Sequence, residues 1–216
     1  MQVILIRDLR KYILSFQKGV IISRYLNINC AAKNGHLEVV KYIHKNKKMC
    51  TTNAMDFAAM NGHLEVVKWL HENCKEGCTD WAMDWAAMNG HFEVVMWLHE
   101  NRCEGCTTSA MDWASKYGHL EVVKWLHENR SEGCTKDAMI NASRNGHLEV
   151  VKYLHENRKE GCTRRSIKNA AEKGHFDIVR WLCENIYKEY TNYVKTDWNG
   201  FLNMLKWIQT DHIGWY

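Results

Sequence analysis

Two side chains able to bind metal recur through this sequence at fixed intervals. Histidines follow a glycine at His36, His63, His91, His119, His147 and His175. A second row, His44, His71, His99, His127 and His155, stands eight residues further on. Eight residues span about 12 Å along one helix, so the members of a pair cannot share an ion. Repeated hydrogen bonding between adjacent units accounts for the rows. Five cysteines, Cys50, Cys78, Cys106, Cys134 and Cys162, also share one register. Units stacked about 10 Å apart hold such residues too far from one another for a disulfide, which needs Cα atoms within about 7 Å. They are expected to be small buried apolar residues. Cys103-Glu-Gly-Cys106, with His99 four residues before it, has the sharpest zinc-like spacing. His71, Cys74 and Cys78 form a looser version. Ser131 and Lys159 replace the extra cysteine in later units, which excludes a metal ladder. No nucleophile and base stand out from the repeated background, and there is neither a phosphate-binding glycine loop nor a His-Glu-x-x-His. The sequence therefore predicts no metal, no cofactor and no enzyme.

The elements carrying these residues follow from one phrase. Asn61-Gly62-His63-Leu64-Glu65-Val66-Val67-Lys68-Trp69-Leu70-His71-Glu72-Asn73 returns almost letter for letter, its glycine recurring as Gly35, Gly62, Gly90, Gly118, Gly146 and Gly174. The first step is 27 residues and the others 28. A worn seventh copy runs from Asn199 to Ile208. Self-similarity at this period marks a stacked repeat array whose units touch their neighbours.

Thr79 to Cys106 is the pattern unit. Thr79, with Thr51, Thr107, Thr135 and Thr163 in register, is placed to accept a hydrogen bond from a first-turn amide. A first helix of about ten residues follows, with Ala82 above Ala86 and Met83 above Ala87. Asn89-Gly90 ends it, since glycine reaches the left-handed conformation of a tight exit. The second helix runs from His91 to Asn101, with Phe92, Val95 and Leu98 predicted along one face. Its early acid meets a lysine three residues on in most copies, as Glu65 and Lys68 do. One such thin hairpin has an apolar face on each side, so stability must come from the interfaces between units.

Residues 1–22 read as an N-terminal capping half-repeat, because Leu9 to Ile13 aligns with Val39 to Ile43 but lacks the glycine and the small-residue block. Residues 23–216 read as the array: six repeats and a degenerate C-terminal capping repeat from Tyr190. The 216 residues contain no proline, so no proline-rich linker divides them. No apolar run is long enough to cross a membrane, and Arg7 and Asp8 cut the apolar start too short for a secretory signal. Nine cysteines are too sparse for a disulfide scaffold and are expected to be reduced thiols in an intracellular, cytoplasmic protein. The net charge is +4, and the whole excess lies between Val151 and Arg180, where eight Lys and Arg face four Asp and Glu.

The motif Ala-Met-Asp-Trp-Ala-Ala-x-Asn-Gly-His-Leu-Glu-Val-Val-Lys-Trp-Leu, carried with small changes by Ala82 to Leu98, resembles an ankyrin repeat. The likeness covers about Ser23 to Ile208, and Gly62 to Leu70 matches that family's central block strongly. The family's Thr-Pro-Leu-His opening is replaced by forms such as Ser109-Ala110-Met111-Asp112. The unit is 28 residues long instead of about 33. The missing residues fall where the family carries its β-hairpin finger. The resemblance implies an all-α helical-hairpin solenoid with little or no finger. The His-Glu-Asn-Arg-x-Glu-Gly-Cys-Thr variant is similar to expanded arrays of amoebae and of the large DNA viruses that infect them.

The resemblance also implies an adaptor or scaffold that binds a partner protein along its concave face, itself a monomer. The candidate contacts lie on the first helices. Phe57, Trp85 and Trp113 form an aromatic row that gives way to Asn141 and Asn169. Packing between units explains the row, while its halt midway suits a partner touching repeats two to four. The second-helix row of Trp69, Trp97, Trp125 and Trp181 reads as a packing ladder. Positions that vary between otherwise copied units add Met60, Trp81, Met88, Lys116, Tyr117, Arg144, Arg164 and Arg165. Arg164 and Arg165 stand at the positive end of a helix dipole and suit an acidic partner. Nucleic-acid binding at this basic end is the alternative, although an excess of +4 in one window is small for a phosphate footprint.

Overall fold

A computed structural model of the chain describes residues 27–47 and 49–186. Both expected caps, and the worn copy from Asn199 to Ile208, lie outside the described residues. Within them are twelve α-helices and no strand. They are α1 (Ile28–Lys33), α2 (Leu37–Lys47), α3 (Thr52–Met60), α4 (Leu64–Asn73), α5 (Asp80–Met88) and α6 (Phe92–Asn101). They continue with α7 (Thr108–Lys116), α8 (Leu120–Asn129), α9 (Lys136–Arg144), α10 (Leu148–Asn157), α11 (Arg164–Glu172) and α12 (Phe176–Asn185). The fold is the all-α solenoid of helical hairpins that the period implies. No described helix is long and apolar enough to cross a membrane.

Described residues up to Ala82 form one compact unit and those from Met83 a second. In the first, α1 packs on α3 and α2 on α4, and the hairpins are α1–α2 and α3–α4. In the second, α7, α9 and α11 stack in order, as do α6, α8, α10 and α12. First helices thus lie on first helices, and second on second. Alanines make this possible: Ala54, Ala58 and Ala59 on α3, and Ala110 and Ala114 on α7, are almost fully buried. A helix this slim lets its neighbours approach until methionines such as Met55 and Met111 fill the remaining gaps.

The second helices bury Val95 and Leu98 as predicted, but Val94 takes the place expected for Phe92. Val94, Val95 and Leu98 are the core residues of α6, and Val122, Val123 and Leu126 those of α8. Positions i, i+1 and i+4 share a stripe at 3.6 residues per turn, whereas a strict step of three drifts off it. Phe92 therefore sits on the flank, edge-on to Trp125 at 6.4 Å between ring centroids.

The two ends of each hairpin follow the sequence more closely. Asn129 at the end of α8 donates its side-chain amide to the Trp125 carbonyl at 2.9 Å, and Asn73, Asn101, Asn157 and Asn185 repeat the bond. Thr79, Thr107 and Thr135 accept from the amides of Trp81, Ser109 and Asp137, as a capping threonine should. Thr51 and Thr163 make no such bond. Glu38–Lys41, Glu65–Lys68 and Glu149–Lys152 form the expected surface pairs.

One core position is poorly matched to its surroundings. Ser115 and Ser143 stand in register with Ala59 and Ala87, are fully buried, and their hydroxyls have no hydrogen-bond partner. A buried unpaired hydroxyl is destabilising. Ser115→Ala and Ser143→Ala are each expected to raise unfolding free energy by about 1 kcal/mol, read as a higher urea midpoint with unchanged slope.

Candidate binding surface

The predicted contact residues separate by exposure. Phe57 on α3, Trp85 on α5 and Trp113 on α7 are half-buried, as are Met60, Met88 and Lys116 near the helix ends. Trp81 is 55% exposed and Tyr117 48%, and Arg144, Arg164 and Arg165 are also exposed. Phe57, Met60 and Trp81 belong to the first unit and the other eight to the second. Lys116 and Tyr117 are brought together, the ammonium lying 5.1 Å from the ring centroid. The two residues thus present a combined cationic and aromatic face.

The copied residues, in contrast, point into the joints between repeats. His119 Nε2 donates to the Met88 carbonyl and His147 Nε2 to the Lys116 carbonyl, both at 3.1 Å. His63 makes the same bond to Lys33. Desolvation holds His147 below the usual imidazole range, against the opposing pull of the Lys116 carbonyl. The second histidine row packs edge-on against the next aromatic ring, His99 on Trp125 at 5.1 Å and His127 on Tyr153 at 5.9 Å. His63, His119 and His147 thus make the expected hydrogen bonds between units, whereas His99 and His127 meet the next unit through a ring contact.

Two further joints were not foreseen. In the first, a buried aspartate brackets the threonine 23 residues on. Asp112 Oδ1 accepts the Thr135 amide and its Oδ2 the Thr135 hydroxyl, both at 2.8 Å. Asp56 holds Thr79, and Asp84 holds Thr107, in the same way. These carboxylates are 3%, 4% and 9% exposed in chain order, so each joint buries a charge. Asn29 stands in for the aspartate in the first repeat and accepts the Thr51 hydroxyl. The row ends at Ile140, which offers no acceptor, and the Thr163 hydroxyl is left buried without a partner.

The second joint lies in the short loops. Arg130 pairs with Glu132 and donates to His99 Nδ1 of the preceding repeat at 3.4 Å. Arg158 does the same with Glu160 and His127. The glutamates titrate below the usual carboxylate value: burial, the largest single effect, would raise them, but the arginine hydrogen bond, the loop amides and the guanidinium charge together outweigh it. The register cysteines sit beside these guanidiniums. Burial pushes the Cys106 thiol up to about 12 and the Cys134 thiol to about 11, with Glu132 and Glu160 adding to the effect. Those thiols are uncharged and inert at neutral pH, as small buried apolar residues would be.

Cys50 behaves differently. It is disulfide-bonded to Cys74, with Cα atoms 6.0 Å apart, and not to its register mate Cys78. The expectation of reduced thiols thus fails for this pair. Cys74 directly follows α4, four residues before the register position of Cys78, so the separation between register mates does not apply to it. His44 Nδ1 lies 3.3 Å from the Cys50 sulfur and 3.9 Å from that of Cys74. Among the described residues this is the one convergence of three His, Cys or carboxylate ligand atoms. The spacings centred on Cys103 and on Cys78 do not converge.

The family model for ankyrin repeats in three copies matches residues 28–109, 57–137 and 111–193. The chain belongs to the ankyrin repeat family. No curated protein matches it. In this ankyrin array the opening Ser109-Ala110-Met111-Asp112 ends on the aspartate that brackets Thr135 of the next repeat. Its repeats are linked by short loops with no described strand, turning through glycines such as Gly105 and Gly133 at positive φ.

Proposed function

We propose that this ankyrin array is an adaptor that binds a partner protein through its first-helix side, with an apolar anchor region and a basic end suited to an acidic partner. Ankyrin repeats are protein-interaction modules. The observation that carries the finer reading is the division just described. Residues copied from repeat to repeat close the joints, while five of the eight varying candidates, Trp81, Tyr117, Arg144, Arg164 and Arg165, are exposed. An exposed tryptophan and tyrosine are favoured interface anchors. The first turn of α11 holds Arg164 and Arg165 and no acid, so a carboxylate-rich partner would relieve the unfavourable dipole interaction there.

The test compares immobilised wild-type chain with a Trp85→Ala, Trp113→Ala variant and an Arg164→Ala, Arg165→Ala variant, each matched for helicity by circular dichroism. The aromatic variant is expected to lose its specific partner at least tenfold. The basic variant is expected to bind more weakly at low salt and to converge with wild type at high salt. A folded aromatic variant that retains every partner would remove the first-helix surface from the reading.

A further inference from the structure

We propose that His44, Cys50 and Cys74, with both thiols reduced, form a binding site for a thiophilic divalent ion of the zinc class. Cys74 occupies the position held by Arg102, Arg130 and Arg158 in the later repeats, His44 is the register mate of His99 and His127, and Cys50 that of Cys106 and Cys134. Arg130 and Arg158 each place a cation among three groups: the histidine Nδ1, the register cysteine and its own glutamate. At the first joint the cation is missing. A second thiol takes its place, and Glu76, the mate of Glu132 and Glu160, is exposed where its counterparts are half-buried.

What remains is a ligand set without its charge. Two sulfurs and an imidazole nitrogen lie within 4.8 Å of one another. In a tetrahedral zinc site, bonds of about 2.3 Å to sulfur and about 2.0 Å to nitrogen place sulfur and nitrogen roughly 3.6 Å apart. The observed separations of 3.3 and 3.9 Å bracket that value. The Nδ1 atom faces both sulfurs at once, as a shared ion requires. Soft thiolates and an imidazole select zinc over the hard oxygen-seeking cations. Reduction of the disulfide by an added phosphine supplies two electrons and leaves two thiols. Binding of the divalent ion then displaces their two protons, giving a neutral dithiolate centre with water in the fourth position. The ion would tie the loop after α2 to the loop after α4, holding the first joint where an arginine holds the later ones.

The test uses the full chain, freed of metal and reduced with a phosphine until all nine thiols react with a thiol reagent. Cobalt is then titrated as the probe. One ion per chain is expected, with the intense visible bands of a tetrahedral thiolate site, bleached by equimolar zinc. Cys74→Arg, which installs the residue the later repeats carry, and Cys50→Ser should each abolish the bands. His44→Asn should weaken cobalt binding at least tenfold, and Cys103→Ser should leave it unchanged. The proposal is overturned if the fully reduced chain gives no such bands, if they survive Cys74→Arg and Cys50→Ser, or if two thiols stay unreactive under the reductant.

Discussion

Replacing Asp112 with alanine is expected to destabilise the array by about 2 kcal/mol, whereas Asp112→Asn should be close to neutral. The alanine variant removes both acceptors, the one for the Thr135 amide and the one for its hydroxyl, and leaves a gap where the buried Asp112 carboxylate stood. The asparagine variant keeps an acceptor and removes a buried charge, and Asn29 already fills this role for Thr51. The charge has a pH signature. Burial raises the Asp112 carboxyl above its ordinary 3.8, and the Thr135 hydrogen bonds recover only part of the cost. Between 3.8 and the raised native value the folded chain holds the proton more firmly than the unfolded one. Stability therefore falls as pH rises through that window, and the penalty is fully present above it. Urea midpoints from pH 3.5 to 7 should show this contribution in wild type and lack it in Asp112→Asn. An alanine variant as stable as wild type would mean that the bracket does not hold the joint.

Gly118→Ala is expected to cost about 3 kcal/mol, more than its place in a half-buried turn suggests. Gly118 has φ of 80°, so any side chain meets left-handed strain, worth about 1–2 kcal/mol. A Cβ there would also lie 2.5 Å from His147 Nδ1. The imidazole would have to swing out and give up its bond to the Lys116 carbonyl. Gly161 supplies the control. Its φ is 79°, but among the described residues an added methyl meets only the Lys159 carbonyl at 3.9 Å. Gly161→Ala should cost the backbone share alone, about 1 kcal/mol. In a His147→Ala background, Gly118→Ala should shrink to the same size. Equal losses at the two glycines in wild type would show that the ring contact carries no energy.

The period and the punctuation of this chain made the helices, the turns and the absence of a finger legible. Glycine at Gly118 requires an exit from a helix whatever surrounds it, and a fixed 28-residue recurrence requires stacking. Periodicity says which positions are equivalent; it does not say which of them touch. Asp112 and Thr135 are 23 residues apart, and Arg130 and His99 are 31 apart, so neither contact falls on the period. Asp112 lies in a Met-Asp-Trp phrase that reads as the wet side of a helix, yet it is buried because the next threonine offers it two donors. Cys74 was legible as a cysteine and not as a replaced arginine, since the value of that position appears only once Arg130 is seen gripping His99. The exposed set, Trp81, Tyr117 and the three arginines, was found by the opposite logic, from variation against a copied background.

The bracket joining each aspartate to the threonine 23 residues on also bears on how the gene can change length. Every such pair is set by the distance within one repeat plus the step to the next. Excision of Thr107 to Cys134 would bring Thr135 to the place of Thr107, where Asp84 would receive the same amide and hydroxyl. An unequal crossover between the copied segments therefore yields a shorter or longer chain whose new seam is already hydrogen-bonded. Ile140 marks where that freedom stops, because a crossover that multiplied its repeat would also multiply an unpaired threonine.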